Sequence, residues 1–189
     1  MHHFKRIALA SKILLIGVSS VCMIAAKDVE KTRIYSILET EGPRLSFAAK
    51  LEITDCVADL ARTYQIDPML ILAVMKVEST FNPKAVSNAR AYGLMQVRSI
   101  VVREVADELA INPRDHQKLL TSHDFNIRVG VHYLSNLIRK FGGDVKKALM
   151  AYNRGPTAVA RTYRNRPVPS GGYQGKVLRA YRSYSARSI

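Results

Sequence analysis

A chain of 189 residues has room for one domain with a substantial core and little else, and no internal repeat or low-complexity run divides it. Lys and Arg outnumber Asp and Glu by 29 to 15, a balance that directs the protein toward a polyanion. Nucleic acid is not the expected one, because the basic residues come without a helix-turn-helix signal, zinc-ligand spacing or an aromatic RNA-binding strand motif.

Residues 1–26 have the layout of an export signal. Lys5, Arg6 and Lys12 precede an uncharged stretch from Ile13 to Ala26 that ends in small residues. That stretch is short for a membrane span, so a cleaved signal is expected, with a retained N-terminal anchor or acylation at Cys22 as alternatives. Beyond it the chain holds a single cysteine, Cys56, which excludes an intramolecular disulfide in the exported part.

Taken in order, residues 27–44 read as a linker or a short helix packed outside the core. Leu45 to Tyr64 form an amphipathic helix. Asp67 and Pro68 then make a helix start, a capping carboxylate followed by a proline whose missing N–H is not needed there. From Met69 to Val77 only Lys76 is charged, so this helix belongs in the middle of a helical domain. Asn82 to Ala91 read as a loop, Val97 to Ala110 as a helix, and Asp124 opens a long amphipathic helix that Gly142 and Gly143 end. Asp144 caps the next helix, which delivers Tyr152 and Asn153 at its end; Pro156 to Tyr163 and a segment from Tyr173 complete the set. No stretch of strict two-residue alternation supports a sheet. The architecture is all-α, and 82–97 is the one place where a small β-hairpin is expected.

Glu78 shares a helical face with Ile71, Val74 and Met75, so its carboxyl points inward. Burial disfavours the charged form and raises the pKa, which suits a general acid near neutral pH. A buried glutamate paired with an Arg or Lys is the plainer alternative.

Four strings turn this position into chemistry: "ESTFNPKAVS" at 78–87, "GLMQV" at 93–97, "FNIRVGVHYLSNLIRKFGGD" at 125–144 and "ALMAYNRGP" at 148–156. Together, in this order and spacing, they resemble the soluble lytic transglycosylase family, murein-cleaving bacterial enzymes akin to goose-type lysozyme, over roughly residues 60 to 180. The resemblance implies a lysozyme-like helical catalytic domain at 45–189 and cleavage of the bond between N-acetylmuramic acid and N-acetylglucosamine. Glu78 would act as acid and then as base, yielding a 1,6-anhydro product. It further implies that Ser79 and Gln96 hydrogen-bond substrate, that Met95 lines a sugar subsite, that Tyr152 orients the Glu78 carboxyl, and that Asn153 contacts the glycan. Each has a plainer reading: Ser79 as a helix-end hydroxyl, Met95 as core filler, Tyr152 and Asn153 as an ordinary helix end. Gly93 serves geometry, through a positive φ or a close backbone approach.

Most glycosidases employ two carboxylates, yet the loop from Phe81 to Val97 carries no Asp or Glu, and Asp107, Glu108, Asp115 and Asp124 read as surface or capping residues. Three departures from the family stand out. Arg90 occupies a turn position where the family often has glycine, Arg154 replaces a small residue beside the cleft, and Pro169 and Ser170 replace an expected Glu and Thr ahead of Tyr173, which makes Tyr173 a weaker carry-over as a substrate-binding residue. The five histidines show no metal-ligand spacing and no phosphate-binding glycine loop occurs, so no cofactor is expected.

The expected partner is the peptidoglycan glycan strand, met as a monomer in the periplasm or cell envelope, with membrane contact only through the N-terminal segment. A secretion or conjugation apparatus is a further candidate partner; the alternatives to the catalytic reading are a hydrolytic muramidase of the goose-lysozyme kind and a non-catalytic peptidoglycan-binding accessory of such an apparatus. After Asp144 no acidic residue occurs, and the basic tail suits stem-peptide carboxylates, wall polyanions or an anionic membrane, or is simply a solvated face.

Overall fold

A computed structural model describes residues 28–164 and 166–187; the expected signal or anchor at 1–26 lies outside them. The chain folds as helices α1 (28–41), α2 (Phe47–Tyr64), α3 (Pro68–Ser79), α4 (Ser99–Leu109), α5 (Lys118–Thr121), α6 (His123–Lys140), α7 (Val145–Arg154), α8 (Pro156–Tyr163) and α9 (Gly172–Ser185). Between α3 and α4 lies one antiparallel pair, β1 (Ala91–Tyr92) and β2 (Val97–Arg98), in register Ala91 to Arg98 and Tyr92 to Val97. The expected hairpin is therefore present, and it takes Val97 and Arg98 away from the helix that the sequence pattern begins at Val97.

Helix α3 is the centre of the molecule. The Asp67 carboxylate accepts from the Met69 N–H, Pro68 occupies the first turn, and every residue from Met69 to Met75 is buried. Its flanks are α9, against which it packs most extensively, and α2. Helix α2 is capped by the Ser46 hydroxyl and buries Ala49, Ile53, Val57 and Ala61, a four-residue repeat that lays one stripe inward. The long α6, capped by Ser122, packs between α2 and α7.

Of the stretch 27–44, expected as a linker or short helix outside the core, the described residues 28–44 include a helix that joins the core. Ile34, Ile37 and Leu38 of α1 are buried with the rest, because their spacing forms one apolar stripe that a chain of this size cannot leave in water. Cys56 is partly buried against Asp124. Burial, and secondarily that carboxylate, push its thiol up to about 12, which keeps it protonated and unreactive.

Where α3 ends, Thr80 and Phe81 both adopt left-handed backbone conformations, at φ 52° and 57°. The turn reverses the chain and buries the Phe81 ring completely. Its consequence is positional: the loop 82–97 folds back across the end of α3 that carries Glu78.

Candidate active site

Glu78 lies in the last turn of α3 with Ile71, Val74 and Met75 on the same face, all three fully buried. Its carboxyl is mostly withdrawn from water, and among the described residues no Lys or Arg pairs with it. Its hydrogen-bond partner is the Tyr173 hydroxyl, which donates to Oε1 at 2.6 Å. Two influences act on the proton. Burial raises the pKa, the Tyr173 hydrogen bond lowers it, and burial wins, leaving Glu78 at about 7.

Tyr173 reaches this position from the first turn of α9, a helix pressed along α3. Both Tyr173 and Tyr152 have pKa values raised well above the ordinary phenol range, by burial first and by the Glu78 charge second. They are neutral donors at any physiological pH.

Tyr152 does not bond to Glu78. Its hydroxyl donates to the Met95 carbonyl of the loop at 2.9 Å, while lying near enough to Glu78 to feel its charge. Of the two tyrosines, the one that orients the carboxyl is therefore Tyr173. Met95 likewise departs from the expected sugar subsite: its side chain is 0% exposed and packed against Gly130 of α6. A Cβ at Gly130 would come within 2.8 Å of Met95 and 3.1 Å of the Tyr152 hydroxyl, so the bare backbone there lets α6, the loop and α7 meet.

Ser79 donates to the Leu94 carbonyl at 2.8 Å and to the Met75 carbonyl at 3.2 Å, tying the end of α3 to the loop. Gln96 donates through Nε2 to the Ala85 and Gly93 carbonyls at 3.1 and 3.0 Å, and among the described residues no donor meets its Oε1. Gly93 has φ +73°, and a Cβ there would stand 2.3 Å from Asn126 and 2.5 Å from the Leu119 carbonyl. The close neighbour that demands glycine is thus protein.

Asn126 is the residue that the sequence reading passed over. Buried on α6, it accepts from the Met95 N–H at 2.9 Å and donates to the Tyr92 and Leu119 carbonyls at 2.8 and 3.0 Å. One side chain thereby satisfies three backbone groups, two of the loop that follows Glu78 and one of α5, and ties the loop to both helices. Its signal was present in the sequence: an amide on the otherwise apolar face of an amphipathic helix, next to Phe125 and Ile127.

Tyr152 and the exposed Asn153 join Gln96 in lining a depression of about 290 Å³ that also holds Arg98, Glu104 and Arg154; Glu78 does not line it, and Tyr152, which feels the Glu78 charge, is the side chain that links the two. Arg154 lines that depression. Glu104 was not foreseen there; its charge falls on Tyr133, while neither influence on Glu78 comes from another carboxylate. Of the other acids, Glu108 is engaged with His132 and Asn136, Asp115 with Lys118 and Asp124 with Arg128, and Asp107 lies exposed on α4. Among the described residues no group of three or more His, Cys, Asp or Glu could hold a metal ion.

Residues 55–170, more than half of the chain, match the family model for the transglycosylase SLT domain. The chain belongs to that family. Curated relatives of this SLT domain include the membrane-bound lytic murein transglycosylases C of Histophilus somni (strain 2336) and of Photorhabdus laumondii. The first is 38% identical over 113 residues, 56% of this chain and 31% of the relative. The second is 37% identical over 108 residues, 53% of this chain and 30% of the relative. The chain thus spans less than a third of the length of these relatives. Among solved structures, the SLT domain superimposes on an inactive glutamate-to-glutamine mutant of the lytic transglycosylase Slt from Pseudomonas aeruginosa. The TM-score is 0.61 at 26% identity, over 69% of this chain and 23% of the other. The 70 kDa soluble lytic transglycosylase of Escherichia coli gives a TM-score of 0.57 at 25% identity, over the same shares. The expected lysozyme-like helical fold is the observed one.

Proposed function

We propose that this SLT domain is a peptidoglycan lytic transglycosylase in which Glu78 is the sole acid and base. The observation that carries the reading is a carboxyl held near neutrality by burial, hydrogen-bonded by Tyr173 and coupled to no second carboxylate. A hydrolase of the usual kind needs a second carboxylate to activate water or to form a covalent intermediate. A transglycosylase does not.

In the proposed reaction, protonated Glu78 gives its proton to the glycosidic oxygen as the bond to the anomeric carbon breaks. The N-acetyl group of the same muramoyl residue stabilises the positive charge. Glu78, now a carboxylate, takes the proton of the C6 hydroxyl as that oxygen closes on the anomeric carbon, and the 1,6-anhydro ring forms. No water is consumed, and Glu78 ends protonated as it began. The intramolecular nucleophile has a large effective concentration, so the protein has no water to hold. Tyr173 fixes the carboxyl, while Asn153 and the Gln96 amide oxygen are offered to the glycan; Ser79 and Met95 support the loop from within.

The curated relatives are named as membrane-bound murein transglycosylases, which supports action in the bacterial envelope. Among the described residues no helix is long and apolar enough to cross a membrane. Export through residues 1–26 to the periplasm, action as a monomer and service to a secretion or conjugation apparatus complete the reading.

Mass spectrometry of peptidoglycan digested by the protein, beside Glu78→Gln, tests it. Products one water lighter than hydrolytic muropeptides, lost in the mutant, are expected. Reducing-end products would make it a muramidase, and binding without products an accessory.

A further inference from the structure

The cleft depression ends at Arg154, Gly155 and Pro156. One residue further, at Thr157, a second and wider depression of about 610 Å³ begins, lined by Lys140, Thr157, Ala160, Arg161 and Arg164. Its walls are the end of α6 and one face of α8, on which positions 157, 160, 161 and 164 follow the helical repeat. Lys140, Arg161 and Arg164 are exposed, and among the described residues none of them has an acidic partner within ion-pair distance. Three unpaired cations that face one hollow repel each other, and an anion relieves that repulsion.

We propose that this hollow binds the carboxylates of peptide stems carried by the glycan strand whose sugars occupy the cleft. The inference rests on the glycan-cleaving reading above. A strand in the cleft presents its stems beside the sugars, and consecutive residues of α8, Pro156 and Thr157, line the two depressions, which brings both within the reach of one ligand. Charge complementarity supplies the recognition: stem peptides carry free carboxylates, and the hollow is lined by cations without an acid. An anionic membrane offers the same sign of charge but fits less well. None of the exposed large apolar residues, Val29, Phe47, Leu51, Val86, Ile100 and Leu120, lines the hollow, which therefore has no large apolar side chain of its own to enter a bilayer.

The test measures binding, so that it does not depend on turnover. In a Glu78→Gln background at physiological ionic strength, affinity is measured for intact peptidoglycan, for glycan stripped of its stems by an amidase, and for peptidoglycan whose stem carboxylates are chemically amidated. Intact material should bind roughly tenfold more tightly than either of the others, the scale of a few exposed charge contacts. Arg161→Glu with Arg164→Glu should erase the difference and leave affinity for stripped glycan unchanged, whereas Arg161→Lys with Arg164→Lys should preserve it. Equal affinity for all three materials, or a preference that survives the charge reversal, overturns the proposal. So does a reversal that weakens binding to anionic phospholipid vesicles and leaves peptidoglycan binding intact, for the hollow would then be a membrane contact. A wild-type protein that releases no anhydro products would sink the catalytic reading alone, because the binding comparison is read separately.

Discussion

The Tyr173 hydroxyl donates to Glu78 Oε1 at 2.6 Å across 95 residues of sequence. The bond favours the carboxylate and so works against the burial that raises the Glu78 pKa to about 7. Removing it in Tyr173→Phe should therefore raise that pKa further. An acid catalyst is lost as pH rises through its pKa, so the alkaline limb of the rate profile should move up by about one pH unit, the lower part of what a hydrogen bond to a charged group contributes. Turnover at the optimum should fall, because the carboxyl loses its fixed orientation. A pH–rate profile of anhydro-product release checks both, and an unmoved limb would show that Tyr173 does not set the proton.

Glu78→Gln should abolish cleavage and stabilise the fold at neutral pH. A carboxyl whose folded pKa is about 7 and whose value when exposed in the unfolded chain is 4.5 binds more protons folded than unfolded between those values, so stability declines as pH rises through that window. The full effect is about 3 kcal/mol as an upper figure. Gln carries no such penalty. Thermal melts should show the mutant more stable than wild type above pH 7, with the gap closing toward pH 4.

Arg90 has φ +54°, which is why the family often has glycine at this turn position. The left-handed conformation costs a side-chain-bearing residue about 1–2 kcal/mol, partly offset in glycine by the greater freedom of its unfolded chain. Arg90→Gly should stabilise the protein by about 0.5–1 kcal/mol in urea denaturation. Arg90→Val should destabilise it.

Asn126→Ala should cost about 3 kcal/mol or more, since it strips partners from the Met95 N–H and from the Tyr92 and Leu119 carbonyls in a buried place. Activity measured well below the melting temperature should fall as well, because those groups hold the loop over Glu78. A mutant with normal turnover would mean that the loop keeps its shape without them.

Met95→Leu should leave KM within about twofold and lower stability by less than about 1.5 kcal/mol, as expected for a volume-conserving change in a core. A large rise in KM would return Met95 to the sugar subsite.

Much of this protein is legible from local pattern. The Asp67–Pro68 start and the apolar run after it determine α3, and the 3.6-residue period alone turns Glu78 inward. Asp144 marks where α7 begins, and Gly155 and Pro156 mark where it ends and α8 begins, since capping and backbone preference act within a turn or two. Partnership across the chain is a different matter. Helix period places Tyr152 and Tyr173 equally near a catalytic end, and only the packing of α9 along α3 decides that Tyr173 meets Glu78 while α7 turns Tyr152 to the Met95 carbonyl. The burial of α1, the retreat of Met95 behind Gly130 and the three bonds of Asn126 were decided in the same way. Hydrogen bonds and close contacts depend on distances of a few tenths of an ångström between elements far apart in sequence, and a periodic pattern specifies which face turns inward but not what it meets there.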